Sequence, residues 1–208
     1  MPPLAPPVLL SPVTVADFGC VPVRGVVGVG IEFGQWLNGD GFRDYEHALL
    51  YAGYYTTTPN VDPRWLVGTG PGHYVLEAQL AGARMRRLAY APIDYPGARW
   101  SSGHIRLSPS ERQAILHSAI ELLGTPYSGL DYGALAAHRL KLHPLDYALK
   151  ARIESDKHLI CSQMVDLAYN RGHVKLFRDG RWPGYVTPLD LAKLTFEETK
   201  LRPGRSLP

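Results

Sequence analysis

Apolar residues in the first half of the chain recur with the spacing of strands. The segment HALLYA, residues 47–52, is almost continuously apolar, which is typical of a largely buried strand. Residues 73–80, HYVLEAQL, continue this pattern, and Gly82 with Ala83 predicts the turn that follows. A long loop rich in Gly, Pro and Thr separates the first two strands. The strands predicted in this way cover residues 47–52, 73–80, 84–90 and 104–107.

Helical spacing and cap signals take over in the second half. The run Ser108-Pro109-Ser110-Glu111 supplies the N-cap, the first-turn proline and the glutamate of a capping box. A helix is therefore expected over residues 109–123, ended by Gly124. The run Thr187-Pro188-Leu189-Asp190 repeats the pattern and predicts a last short helix. The other predicted helices cover residues 31–38, 130–142 and 159–170.

Strands and helices are partly segregated along the chain, which favours an α+β fold over a doubly wound one. The length of 208 residues is that of about one domain. Residues 1–12 predict an extended proline-rich arm and residues 200–208 a loose C-terminal tail. We expect residues 13–199 to form a single domain.

The charge of the chain is only weakly basic. The net charge is +3 and the pI is near 8.8, with no run of five like charges, which argues against nucleic acid as a partner. A mildly basic solvated face is the simplest interpretation, with anionic surfaces such as cell wall or lipid headgroups as the alternative. No stretch approaches the roughly 18 apolar residues of a membrane helix, and the first twelve residues lack the basic start of a secretory signal. Charge and hydropathy therefore leave the compartment open.

The counts of metal-ligating residues argue against a cofactor. Two cysteines, Cys20 and Cys161, are too few for a disulfide framework or a multi-cysteine zinc site, although one bridge is conceivable. His138 and His143 are five residues apart, which does not place two ligands on one helix face. The glycines of residues 25–30 lack the spacing of a phosphate-binding loop. We expect no metal, nucleotide or other cofactor.

Cys161 lies where a helix is predicted to begin, in the segment ICSQMVDLAY. A thiol in a first helical turn faces unpaired backbone N–H groups and the positive end of the helix dipole, and both favour the thiolate. This position fits a nucleophile, although a single cysteine is more often a small buried hydrophobe. Cys20 is the rival, but DFGCVPV with Pro22 indicates an extended chain, so we interpret Cys20 as a packed core residue.

His47 and Glu77 are ionisable residues inside predicted strands, where an unpaired polar group is costly. A thiol nucleophile needs a base that is oriented by a third group. If the two strands are neighbours, Glu77 can accept the imidazole N–H of His47 and hold the ring for Cys161. Two alternatives stay open: a structural histidine, and a glutamate on the solvated face of an antiparallel sheet.

The order of these segments resembles that of a known family. A Gly-Asp element and the histidine strand (GDGFRDYEHALLYAG) precede the YVLEA strand, a helix ending in LGTPY and the helix that starts ICSQMVDLAY. This order, over about residues 13–195, is similar to the circularly permuted papain-fold hydrolases, which belong with the NlpC-type cysteine peptidases and the lecithin:retinol acyltransferase group. The segments RWPGYVTPLDL and LGTPYSGLDYGAL also resemble hydrolase-like proteins of actinobacterial phages.

The resemblance implies a permuted papain-like fold, in which an antiparallel sheet packs against helices and the nucleophile lies at a helix N-terminus. It implies Cys161 as the nucleophile, His47 as the base and Glu77 as the polar third member. It implies a thiol-dependent peptidase or amidase that hydrolyses peptide amide bonds through an acyl-enzyme. The favoured substrate is an amide bond of peptidoglycan peptides. The backbone N–H of Cys161 and a second donor, with Tyr45 and Tyr127 as candidates, would hold the oxyanion.

The alternative function is a structural or adaptor module without turnover, for example a tail component of a phage particle. The proline-rich arm and the basic tail would then dock onto phage structural proteins. Location in a virion or at the cell wall is compatible with both functions.

Overall fold

Six strands form one sheet in the computed structural model, which describes residues 12–22, 45, 47–95, 97–127, 159–179 and 186–196. Their order across the sheet is β3-β5-β4-β2-β1-β6. All neighbours are antiparallel except β3 and β5, which are parallel. The strands are β1 Phe18–Val21, β2 His47–Tyr55, β3 Leu66–Val67, β4 Gly72–Gln79, β5 Gly82–Arg87 and β6 Arg99–Trp100.

Three α-helices in the described ranges pack on one face of this sheet. They are α1 Pro109–Glu121, α2 Cys161–Arg171 and α3 Pro188–Phe196. Helix α2 lies over β2 and β4 and is flanked by α1, while α3 lies over β1. The larger core fills the space between helices and sheet, and a smaller core that includes Leu49, Val75 and Trp100 covers the opposite face.

The predicted α+β class is confirmed, but the sheet is mixed rather than antiparallel. The reason is β3, which lies in a segment predicted as loop between residues 53 and 72. Strand β2 also continues to Tyr55. A 3-10 helix, Pro63–Trp65, directly precedes β3. A two-residue strand carries no periodicity, so its pairing with β5 had no signal in the sequence.

Two further predictions need correction. The strand predicted at 104–107 is wrong, because the chain turns there: the Ser101 carbonyl accepts the N–H groups of both His104 and Ile105. The turn after β4 is formed by Leu80 and Ala81, so Gly82 and Ala83 already belong to β5. The predicted helices at 31–38 and 130–142, most of the N-terminal arm and the C-terminal tail lie outside the described residues.

The capping boxes predicted at the starts of α1 and α3 are confirmed. The Ser108 Oγ accepts the Glu111 N–H at 3.3 Å, and the Glu111 carboxylate accepts the Ser108 N–H at 2.7 Å. At α3, Thr187 and Asp190 exchange the same two bonds. These reciprocal bonds satisfy backbone donors that a helix start leaves open. In the ranges that the structure covers, no helix is long and apolar enough to cross a membrane.

The turn after α1 yields a stability prediction. Gly124 has φ +84°, and a Cβ there would meet the Trp65 ring at 2.7 Å, whereas Gly70 has φ +87° with nothing within 4 Å of its Cβ position. We expect Gly70→Ala to cost about 1 to 2 kcal/mol from backbone strain alone, and Gly124→Ala about 1 to 3 kcal/mol more from the clash. Urea denaturation measures both, and equal losses would show that Trp65 moves aside at no cost.

Candidate active site

The first residue of α2 is Cys161, as the sequence predicted for a first-turn cysteine. The helix starts here because the preceding Ile160 is extended and its N–H is accepted by the Gln163 side chain at 2.9 Å. Cys161 is packed in the core between helices and sheet and is only 1% exposed. Its sulfur therefore sits at the positive end of a helix, inside the protein.

The imidazole of His47 links the helix to the sheet. His47 opens β2, and its side chain is 12% exposed. Its Nε2 lies 3.0 Å from Oε2 of Glu77, and the ring is also hydrogen-bonded to the Cys161 side chain. Because the carboxylate occupies Nε2, Nδ1 is the ring nitrogen left for the thiol. The structure thus brings the three predicted residues together in the order Cys161, His47, Glu77.

The surroundings of His47 favour its protonated form. Burial by itself lowers the pKa of His47, but the negative charge of a Cys161 thiolate and the hydrogen bonds to Cys161 and Glu77 outweigh it and raise the pKa to about 10. These neighbours favour an imidazolium between a sulfur and a carboxylate. A thiolate–imidazolium pair is the form in which a cysteine attacks a carbonyl.

Glu77 is fully buried in β4. The register of β2 with β4 places it beside Leu49, on the sheet face opposite the helices. Burial alone raises the pKa of Glu77, but hydrogen bonds from His47 and Arg86 overcome this effect and lower the pKa to about 2. The alternative of a solvated, outward-facing glutamate is therefore wrong, because this face is covered and the carboxylate is paired within it.

Three residues around Glu77 were missed by the sequence analysis. Arg86 donates to both carboxylate oxygens, from Nε to Oε1 at 2.7 Å and from Nη2 to Oε2 at 3.1 Å. The Gln79 amide donates to Oε1 at 2.8 Å, and the Arg84 Nε lies 3.7 Å from the same oxygen. A signal was present, since a two-residue turn at 80–81 sets Arg84 opposite Glu77 in the hairpin.

The second cysteine lies in the same core but in a different setting. Cys20 stands in β1 opposite Ala48, is fully buried, and donates its thiol to the Pro188 carbonyl at 3.5 Å. Burial raises the pKa of the Cys20 thiol far above its ordinary value, and the nearby charge of Cys161 adds to this rise. Cys20 is thus a neutral packed thiol in an extended segment, as predicted. Cys20 and Cys161 are not joined by a disulfide.

The remaining candidates lie around this centre. Tyr45 and Tyr127, the proposed oxyanion donors, are partly buried and pack against the core that contains Cys161. His117 is exposed and pairs with Glu121, and Nδ1 of His73 lies 2.6 Å from the Tyr51 hydroxyl oxygen. Within the described residues, no group of three or more His, Cys, Asp or Glu side chains is placed to hold a metal ion.

No protein-family model, no curated protein and no solved structure matches this chain.

Proposed function

We propose that the protein is a thiol hydrolase in which Cys161 is the nucleophile, His47 the general acid and base, and Glu77 the group that orients the imidazole. The observation that carries this proposal is the hydrogen-bonded series from the Cys161 thiol through the His47 ring to the Glu77 carboxylate. A nucleophile, a base and an orienting group in mutual contact are the minimum that acyl transfer requires.

In the first half of the reaction the Cys161 thiolate attacks the carbonyl carbon of an amide or ester. A C–S bond forms, and the carbonyl electrons move onto the oxygen, where the backbone N–H of Cys161 and a donor such as Tyr45 or Tyr127 stabilise the charge. The tetrahedral species collapses as the His47 imidazolium gives its proton to the leaving group. The product of this half is a thioester acyl-enzyme and a free amine or alcohol.

In the second half the neutral His47 removes a proton from water, which attacks the thioester. The acid is released, and the thiolate–imidazolium pair is restored. Glu77 stays ionised throughout, because its pKa of about 2 lies well below neutral pH. It fixes the ring with Nε2 toward the carboxylate and stabilises the imidazolium.

We also propose that the fold is a circularly permuted papain-like one. The support is that the histidine strand precedes the nucleophile helix in the chain, with the two packed together. The resemblance of GDGFRDYEHALLYAG and ICSQMVDLAY to the permuted NlpC-type hydrolases adds to it. In this proposal the substrate is an amide bond of peptidoglycan peptides, because murein is polyanionic and the chain carries a net charge of +3.

The test is to incubate the purified protein with actinobacterial sacculi and, separately, with phospholipid vesicles, using Cys161→Ala as the control. We expect new amino termini from the sacculi that depend on Cys161. Release of fatty acid from the vesicles, with no new amino termini from the sacculi, would mean that the protein is a lipid hydrolase and not a peptidase.

The burial of the thiol supports a second candidate function, a structural or adaptor module of a phage particle. A nucleophile that is 1% exposed must be uncovered before a substrate reaches it. A thiol-directed probe separates the two: rapid, pH-dependent labelling of Cys161 alone supports the hydrolase. An inert Cys161, together with no turnover on sacculi or vesicles, supports the module.

A further inference from the structure

The proposed catalytic series does not end at Glu77. It continues to Arg86 of β5, so that four side chains follow one another across the site: the Cys161 sulfur, the His47 ring, the Glu77 carboxylate and the Arg86 guanidinium. In their ionised forms these groups alternate in sign. Each interior member then has an opposite charge on both sides, which is the arrangement that keeps buried charges stable.

Arg86 contacts the carboxylate at two points. It reaches both oxygens of Glu77, whereas His47 reaches Oε2 alone and Gln79 reaches Oε1 alone. Arg84 lies at 3.7 Å from Oε1, and its Nε makes no hydrogen bond to any group in the described residues. Two-point contact by a planar guanidinium fixes the plane of a carboxylate as well as its charge.

Hydrogen bonds to neighbouring side chains hold the Arg86 guanidinium in place. Its side chain is 23% exposed, it stands on β5 between β3 and β4, and its guanidinium also bonds the Tyr95 side chain. The groups that face Glu77 are therefore His47 from β2, Gln79 from its own strand, and Arg84 and Arg86 from β5. Cys161 faces His47 from α2.

We propose that Arg86 is a positioning residue of the site: its two-point contact holds Glu77 ionised and fixes the plane of the carboxylate that orients the His47 ring. This positioning role rests on the proposed function, since it assumes that the protein is a thiol hydrolase. Its physical content, the coupling of Arg86 to His47 through Glu77, is measurable without any turnover.

The sign of the effect follows from the charges. Arg86 favours the ionised Glu77, so its removal raises the pKa of that carboxyl from about 2. Arg86 also repels the imidazolium, so its removal raises the pKa of His47 further above its ordinary value. Glu77 and His47 titrate as one coupled pair, and without Arg86 both protonation steps of the pair occur at higher pH.

The experiment is an NMR titration of the His47 ring in the full chain, with Arg86→Met and Arg86→Lys. Protonation of Glu77 at low pH changes the His47 resonance, and we call this change the acid step. An arginine beside a carboxylate lowers the pKa of that carboxyl by about 1 to 3 units. In Arg86→Met the acid step should therefore move up by that amount, to above about pH 3. Arg86→Lys keeps the charge and should bring the step most of the way back. Arg87→Met is the matched control, because Arg87 bonds the Pro71 carbonyl and not Glu77.

A double mutant shows whether the effect passes through Glu77. In a Glu77→Gln background, Arg86→Met should no longer move an acid step of His47, since the titrating carboxyl is gone. If Arg86→Met lowers stability but leaves the acid step at the wild-type pH, Arg86 is only structural and the proposal is overturned. Should Arg86→Met fail to fold, Arg86→Gln replaces it, with the same shift expected.

These outcomes are independent of the hydrolase itself. An inactive protein with the expected titration shifts would reject the proposed function while leaving the coupling of Arg86 to His47 in place. An active protein without the shifts would reject Arg86 as a positioning residue and keep the hydrolase.

Discussion

Replacement of Cys161 by alanine is expected to lower kcat/KM of thiol-dependent hydrolysis by about 10³-fold or more, because the acyl-enzyme can no longer form on the sulfur. His47→Ala should cause a loss of similar size, since members of a catalytic unit act together rather than additively. Cys161→Ser should also fall far below wild type, because a serine hydroxyl stays neutral beside an imidazolium. The measurement is steady-state release of amino termini from sacculi.

Cys20→Ser is the control that the chain itself provides. Cys20 lies in the same core and is fully buried, but its thiol donates to the Pro188 carbonyl rather than to a base. A serine at that position can make the same bond, so activity should be retained while stability falls modestly. Equal losses of activity in Cys20→Ser and Cys161→Ala would contradict our choice of nucleophile.

The parts of the fold that the sequence predicted well are those determined by residues close together in the chain. The reciprocal bonds of Ser108 and Glu111 join residues three apart, so the start of α1 was predictable from four letters. The same holds for Thr187 and Asp190 at α3. Cys161 was placed at a helix start by the apolar spacing that follows it, and α2 begins there.

The errors concern contacts between distant segments. Leu66 and Val67 form a strand only because β5 offers them an edge, a fact that no local pattern encodes. Residues 104–107 have apolar and β-branched character, but Gly103 with φ +80° and the Ser101 carbonyl bend the chain before a strand can form. Tertiary context overrides local propensity at both places.

The contact between His47 and Glu77 was predictable from the sequence, but the surroundings of that contact were not. The burial of His47 and Glu77 in strands suggested that they need partners, and they are each other's partners. Whether Glu77 faced water depended on Arg84 and Arg86, whose sequence GARMRR resembles an ordinary solvated edge. Only the hairpin register turns those basic residues onto the carboxylate.

Glu77 should therefore carry a large share of the stability of the site. Its pKa of about 2 lies below the ordinary value of 4.5, so ionised Glu77 stabilises the fold by about 3 kcal/mol at neutral pH. This contribution is present above pH 4.5 and is lost as the pH falls toward 2. His47, with its pKa raised from 6.5 to about 10, contributes stability that is present below pH 6.5 and lost as the pH rises toward 10.

Glu77→Leu removes the centre of this arrangement and leaves His47, Arg84 and Arg86 without the carboxylate with which they pair. We expect a loss of about 3 kcal/mol in the free energy of unfolding at neutral pH, measured by urea denaturation. Glu77→Gln should lose less stability and less activity, because its amide oxygen can still accept one of the bonds. Glu121→Leu is the matched control, since Glu121 is exposed on α1 and pairs with an exposed histidine.

The pH dependence distinguishes loss of the charge from loss of packing. If the ionised carboxylate is what stabilises the site, the difference between wild type and Glu77→Leu is largest between about pH 5 and pH 7 and shrinks as the pH falls below 4.5, because the wild type then loses the same charge. A difference that stayed constant down to about pH 3 would mean that Glu77 acts by its shape alone. The orienting role proposed for it beside His47 would then lose its electrostatic basis.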